Sequence, residues 1–282
     1  IKRLVSKNRR QGMKKALTGV SNNVAKNIDK IKVWAHSFEK QTGGDAVLIA
    51  ADMTNEDRNV LNLNNIKFSE VETDKNLTIN DSRLIHTANW IENSDYDLFM
   101  VTDVFDVCFQ GDPFKMFDHH DFYAASEGIL HTEEPWNMDV MNKAFPEYVD
   151  FIRPHEVVCS GVMGGRKDGL VKTLRMQQEL VDGALHGHDI RDQAALNILI
   201  YKDLIPNSKI FKPNDGWVVH CSLSGPTFQH KEWGLGKVID SRYGLPHLSE
   251  NILVDANDRP YLIAHQYNRI PEWDEKIIAQ YV

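Results

Sequence analysis

Leu98-Phe99-Met100-Val101-Thr102-Asp103-Val104-Phe105-Asp106-Val107 is the stretch that decides the fold class. Leu98 to Thr102 is a continuous apolar run with no polar alternation, which reads as a strand buried on both faces. Upstream, Leu84, Ile85, Ala88 and Ile91 recur at helical spacing behind Asn80-Asp81-Ser82, a cluster suited to capping a helix. Further back, Ile66 to Val71 and Asp45 to Ala51 read as strands, the second following a Gly43-Gly44 turn. Val24, Ile28, Ile31, Ala35 and Phe38 form one apolar helical face, and Lys14 to Val20 reads as a first strand ending at Thr18-Gly19. Strands alternating with helices at this rhythm predict an α/β fold, with a mostly parallel central sheet flanked by helices.

Downstream the pattern loosens. Phe122 to Ser126 and Val157 to Met163 read as strands, and Leu170 to Leu185 and Asp192 to Tyr201 as helices. After Lys209 the chain is rich in Gly, Pro, His and Trp, so an irregular C-terminal half is expected to wrap a site. With no repeat or linker in view, the organisation expected is a basic segment over residues 1–15 and a single domain over 16–282.

Composition sets the outer bounds. The chain has 282 residues, 42% hydrophobic and 26% charged, which is ordinary for a protein with a substantial core and excludes disorder, collagen and coiled coil. No apolar run approaches the roughly 18–20 residues of a membrane span, so no integral membrane segment is expected. There are 32 basic and 40 acidic residues, a net of −8. Seven of the basic ones crowd into residues 1–15, which hold no acidic side chain, so the remainder is more acidic still. Such a surface repels phosphate backbones, and nucleic acid is not an expected partner. Cys108, Cys159 and Cys221 are few and widely spaced. They favour a reducing compartment and a cytoplasmic location, with the lumenal alternative open if a signal segment precedes Ile1.

Asp103 and Asp106 fall where a buried strand should end, and ligands of open α/β sheets bind outside the carboxyl ends of strands. A continuing strand would send residues three apart to opposite faces, whereas a turn after Asp103 brings both carboxylates onto one ion. Two hard oxygen ligands suit Mg²⁺ or Mn²⁺. The plainer reading is a strand-terminal Asp followed by a turn Asp. Gly161, Gly164 and Gly165 would let backbone approach a ligand closely, or simply close a strand in a tight turn. Asp192, just before an apolar helix, is placed to cap it.

The Asp103–Asp106 segment resembles the DxD-type metal motif of GT-A nucleotide-sugar glycosyltransferases, and its DxxD spacing is most similar to the glycosyltransferase domain of lysyl hydroxylases. Other landmarks follow in the same order. Ala125-Ser126-Glu127 resembles a Ser-Ala-Glu region after the metal motif, with the small residues permuted. Cys159-Ser160-Gly161-Val162-Met163-Gly164-Gly165 is similar to the Asn-Ser-Gly strand that lines the donor sugar. Asp192-Gln193-Ala194-Ala195-Leu196-Asn197 resembles the Asp-Gln-x-x-Leu-Asn helix start of retaining GT-A families. Lys209-Ile210-Phe211 matches a short strand after it, and His265-Gln266-Tyr267-Asn268 sits where these enzymes place a late metal-binding His.

The resemblance, over residues 90–270, implies a Rossmann-like GT-A fold and a metal-dependent sugar transfer from a nucleotide-sugar, UDP-linked, to a hydroxyl of a glycan or glycoconjugate. It implies that Thr18 and Gly19 cradle the nucleoside, that Asp52 accepts from base or ribose, and that Arg83 contacts the diphosphate. By the same likeness Ser160, Gly161 and Gly164 line the donor. Asp192 and Asp189 are then candidates for orienting the sugar or serving as base, whereas Asp192 and Gln193 would face the anomeric centre if the transfer is retaining. An ion held by Asp103, Asp106 and His265 would neutralise charge on the departing diphosphate. A His ligand favours manganese over magnesium, and His220 is the rival third ligand. Trp217 and Trp233 are candidate platforms for an acceptor sugar. Two other readings stay open: a non-catalytic nucleotide-sugar or carbohydrate-binding domain, and an Asp-dependent phosphatase. The second is disfavoured because Phe105 stands where its second Asp would be.

Overall fold

Strand β4, Leu98–Thr102, is buried at every position and lies near the middle of a seven-stranded sheet. In this computed structural model, residues 12–73, 78–185, 190–224 and 234–282 are described. Chain order up to β4 runs β1 (Lys15–Ser21), α1 (Ile28–Thr42), β2 (Asp45–Ala51), α2 (Asn55–Leu63), β3 (Lys67–Val71) and α3 (Ile79–Asn93). Then come β5 (Val107–Phe109), β6 (Phe122–Leu130), α4 (Pro135–Ala144), α5 (Val149–Ile152), β7 (Glu156–Arg166), α6 (Lys167–Gly183) and α7 (Asp192–Tyr201). The chain closes with β8 (Ser208–Phe211), β9 (Val218–His220), α8 (Cys221–Ser224), α9 (Leu235–Tyr243), β10 (His247–Ser249), β11 (Ile252–Val254), β12 (Ile263–His265) and α10 (Pro271–Ile278).

The main sheet has the order β3-β2-β1-β4-β7-β6-β8. Its strands run parallel except β7, which is antiparallel to both β4 and β6. Alternation along β4 feeds two cores. Phe99 and Val101 pack with Leu84, Ala88, Ile91, Leu170 and Leu174 from α3 and α6, while Leu98 and Met100 pack with Ile31, Trp34 and Phe38 of α1. Burying both faces is what makes the strand uniformly apolar. The fold is therefore α/β, a mostly parallel sheet with helices on both sides. No helix among the described residues is long and apolar enough to cross a membrane.

Two local features differ from expectation. Helix α3 begins at Ile79, so Asn80 to Ser82 form its first turn rather than a cap, and Ser82 Oγ donates to the Thr78 carbonyl at 3.1 Å. Strand β1 runs on to Ser21, which puts Thr18 and Gly19 inside it rather than after it. A side chain at Gly19 would collide with the Thr102 carbonyl and Val104, so this glycine lets β1 and the β4 turn approach.

The C-terminal half holds more order than its composition suggests. Three-residue strands β5, β12 and β9 form a second sheet, β12 antiparallel to β5 and parallel to β9. Register places His265 opposite Val107 on one side and His220 on the other. This small sheet carries the late histidine to the end of β4.

Candidate metal centre

The sheet order reverses direction between β1 and β4, and a crevice opens there at the carboxyl ends of the strands. A cleft of about 520 Å³ occupies it, lined among others by Ser21, Asp103, Asp106, Glu127, Asp192 and His265. The chain turns after Thr102. Trp34 Nε1 donates to Thr102 Oγ1 at 2.8 Å, and the Asp103 N–H donates to the Gly161 carbonyl at 2.9 Å. That turn brings the two carboxylates together. His265 Nε2 lies 3.4 Å from Asp103 Oδ2 and 3.8 Å from Asp106 Oδ1. The assembly is pinned from the far end of the chain, because the Gln266 N–H, with Gln266 left-handed at φ 61°, donates to the Asp106 carbonyl at 2.7 Å. Gly161 leaves room for it, since a Cβ there would sit 2.6 Å from both Asp103 Oδ2 and His265 Cε1.

Asp106 Oδ1 and His265 Nε2 are buried and have no hydrogen-bond partner among the described residues. Buried polar atoms are ordinarily paired, so orphans converging on one point ask for a ligand. Asp103, Asp106 and His265 offer ligand atoms within 4.8 Å of one another, a donor set of two carboxylates and an imidazole that fits a divalent cation such as Mn²⁺. The electrostatics agree. Burial raises the Asp106 carboxyl above its ordinary pKa, with Asp103 adding and His265 opposing. For Asp103 burial also pulls upward, but the Arg83 guanidinium and His265 prevail and hold it below the usual carboxylate range. Burial works against a charged His265, yet Asp103 and Asp106 outweigh it and its pKa lies above the ordinary value.

Across the cleft the polar groups hold one another. Arg83, from α3, donates through Nη1 to Asp103 Oδ1 at 2.6 Å and through Nη2 to Ser160 Oγ at 3.2 Å and to Asp192 Oδ2. Ser160 Oγ donates to Asp192 Oδ2 at 3.0 Å, and its N–H donates to Gln193 Oε1 at 3.1 Å. Gln193 Nε2 in turn donates to Asn137 Oδ1 at 2.9 Å. Asp192 does not cap α7. It is the first helical residue, Arg191 occupies the cap position, and the carboxylate turns to Arg83. Asn197 explains the far end of that motif: it donates to the Val158 carbonyl and accepts from the Val158 N–H, both at 2.8 Å, fastening α7 to β7.

The remaining candidates divide. Thr18 is fully buried in β1, and Gly164 packs against Phe117 and Met100, away from the cleft. Asp52 follows β2 in a left-handed conformation, and its carboxylate accepts from the Thr73 N–H and hydroxyl instead of lining the cleft. Trp217 is completely buried against Phe117 and Phe211, so it offers no platform to a sugar. Among the described residues, Trp136 is the tryptophan that lines the cleft. Asp189 and Trp233 lie outside the described residues.

His220 stands behind His265 rather than beside the carboxylates, the two Nδ1 atoms 3.0 Å apart. Cys159 Sγ lies 3.7 Å from the same His265 nitrogen. A further Asp118-His119-His120 grouping sits elsewhere, with Asp118 already bound by Lys209 at 3.1 Å.

Glu127 is a cleft residue whose role the sequence did not disclose. Register shifts break the β6–β7 ladder around it and Gly128 adopts φ 77°, a bulge that turns the side chain out of strand alternation. Burial, with Glu134 adding, pushes its carboxyl up to about 7. The one charged residue inside the Phe122–Leu130 run was the available signal.

Compared with protein-family models and with curated proteins, the chain matches none of them.

Proposed function

We propose that this chain is a metal-dependent glycosyltransferase of the GT-A type. In this reading it moves a sugar from a nucleotide-sugar, UDP-linked, to a hydroxyl of a glycan or glycoconjugate acceptor. The observation that carries the reading is the convergence of two orphaned ligand atoms, Asp106 Oδ1 and His265 Nε2, on Asp103 at the carboxyl mouth of the sheet. Asp103, Asp106 and His265 would hold Mn²⁺, or Mg²⁺ less readily given the imidazole. When bound, the ion supplies Lewis-acid stabilisation of the leaving diphosphate.

The chain's own groups supply the rest. Arg83 holds Asp103 and Asp192 at fixed positions, so that neither carboxylate reorganises when a donor arrives. Gln193, tied to Ser160 and Asn137, presents a rigid amide to the cleft. Asp192 Oδ2 is committed to Arg83 and Ser160, which hold that carboxylate in place and leave Oδ1 as its unbonded oxygen. Glu127, with its carboxyl near 7, is therefore the group best suited to take a proton from an acceptor hydroxyl at neutral pH. Trp136 at the rim offers an aromatic surface for a sugar ring.

The test is incubation with a panel of sugar nucleotides and Mn²⁺, with and without hydroxyl acceptors, following release of nucleoside diphosphate. Metal-dependent release that Asp106→Ala abolishes is the expected result. Release of orthophosphate from phosphomonoesters instead would make the protein a phosphatase, and binding without release would make it a binding module.

A further inference from the structure

Behind the carboxylate site lies a second set of ligand atoms of a different chemical kind. Cys159 from β7, His220 from β9 and His265 from β12 are all buried, and their Sγ and ring nitrogens lie within 4.8 Å of one another. The His220 and His265 Nδ1 atoms are 3.0 Å apart, Cys159 Sγ is 3.7 Å from His265 Nδ1, and the two rings stand at 79°. An ion holding nitrogen at about 2.0–2.1 Å and sulfur at about 2.3 Å sets tetrahedral N···N and N···S edges of about 3.3 and 3.6 Å. The two separations measured from His265 Nδ1 need shifts of only a few tenths of an ångström to meet that geometry, and the third edge, from Cys159 to His220, falls within 4.8 Å.

We propose that Cys159, His220 and His265 form a site for a thiophilic divalent cation of the Zn²⁺ class, sharing His265 with the carboxylate site and competing with it. Thiolate and imidazole donors select such ions over Mg²⁺ or Mn²⁺. One proton leaves the Cys159 thiol for each ion bound, and the sulfur lone pair forms the new bond. The competition follows from the imidazole itself. A neutral ring has one lone-pair nitrogen, so an ion on Nδ1 leaves Nε2 as an N–H donor. That N–H faces Asp103 and Asp106, where it can hydrogen-bond a carboxylate but cannot hold their ion. With the soft site empty, a hydrogen bond from His265 Nδ1 to His220 Nδ1 instead leaves the Nε2 lone pair for the carboxylate site. His220 is thus a positioning residue in one state and a ligand in the other. The ligand set stands without the transferase assignment; only inhibition of turnover rests on it.

The test is titration of the metal-free protein with CoCl₂, read by absorption. A thiolate-to-cobalt charge-transfer band is expected, saturating at one ion per chain and bleached by ZnCl₂. Cys159→Ser should remove the band, His220→Gln should weaken binding about tenfold or more, and Asp106→Asn should leave the band in place. Absence of the band in the unmodified protein, or its survival in Cys159→Ser, overturns the site. If Cys159→Ser does not fold, an unweakened band in His220→Gln overturns it equally. In parallel, ZnCl₂ should suppress Mn²⁺-supported nucleoside diphosphate release. A band without any turnover sinks the transferase reading alone, and turnover without a band sinks this site alone.

Discussion

Each bank of the cleft sets an aspartate beside a nitrogen base, Asp106 beside His265 on one and Asp192 beside Arg83 on the other, and the two pairs are in different states. On one, Asp106 Oδ1 and His265 Nε2 are buried without hydrogen-bond partners among the described residues. On the other, Arg83, Asp192, Ser160, Gln193 and Asn137 hand hydrogen bonds from one to the next, with both bonds to Asp192 ending on Oδ2 and its Oδ1 left over. An unsatisfied buried carboxylate is a cost that folding alone does not recover, whereas a paired one is part of the scaffold. The difference separates a bank that receives a ligand from a bank that holds its shape. Asp103 joins the two, meeting Arg83 with one oxygen and facing His265 with the other.

The largest expected effect falls on the unsatisfied bank. Asp106→Ala should lower metal-dependent transfer by about 10³-fold or more, because the ion loses a ligand that only the reacting complex exploits. The metal-free protein should unfold at the same temperature as its parent or slightly above, since a buried orphan carboxylate has gone. The parent should gain thermal stability on adding Mn²⁺ and the variant should not. A variant with ordinary turnover would erase the distinction between the banks.

Arg83→Met attacks the other bank. It leaves the Asp192 carboxylate, 1% exposed, without its cation, and should cost about 3–5 kcal/mol in urea unfolding. Adding Asp192→Asn should recover part of that loss, which a double-mutant cycle measures. If Arg83→Met is as stable as its parent, the hydrogen-bonded bank is not a scaffold.

How much of this was legible depended on how local each feature is. Strands β2 and β4 and helix α7 match their sequence readings residue for residue, because a continuous apolar run or a helical period spans each of them. Strands β5, β9 and β12 are three residues long, too short for any period to show, and they meet only in three dimensions. The turn that unites Asp103 and Asp106 was one of two readings that the end of an apolar strand left open, the other being a strand that runs on. What joins His265 to them is a backbone bond from Gln266 to Asp106, which no local pattern announces. Trp217 reads as a loop residue by composition, yet it fills a core gap beside Phe117 and Phe211. Glu127 was hidden because a bulge, not strand alternation, aims it.

Gly161→Ala tests how tightly the unsatisfied bank is built. The added methyl would lie 2.6 Å from Asp103 Oδ2 and from His265 Cε1, so one of them must move. Overpacking of this kind costs about 1–3 kcal/mol in stability. Displacing ligand atoms should also weaken Mn²⁺ binding about tenfold to a hundredfold, measured from the signal of the free ion in electron paramagnetic resonance. Unchanged affinity would mean the ligands are more mobile than the packing around them implies.

Glu127 belongs to neither bank, and its pH behaviour shows why. Its carboxyl is raised from 4.5 to about 7, so between those values the folded chain binds a proton that the unfolded chain has released. Stability then falls with rising pH, because deprotonating the unfolded state favours unfolding while the native group resists it. The contribution is fully present below pH about 4.5, declines through the interval, and levels off above pH about 7. For a group that keeps some contact with solvent the span amounts to about 1–3 kcal/mol. Glu127→Gln removes the titration and keeps the shape, so its unfolding temperature should be flatter than the parent's between pH 5 and 7.5. An unaltered slope would place the raised carboxyl elsewhere and return Glu127 to the ordinary surface. A flattened slope with transfer intact would leave it a buried acid with no part in moving the acceptor's proton.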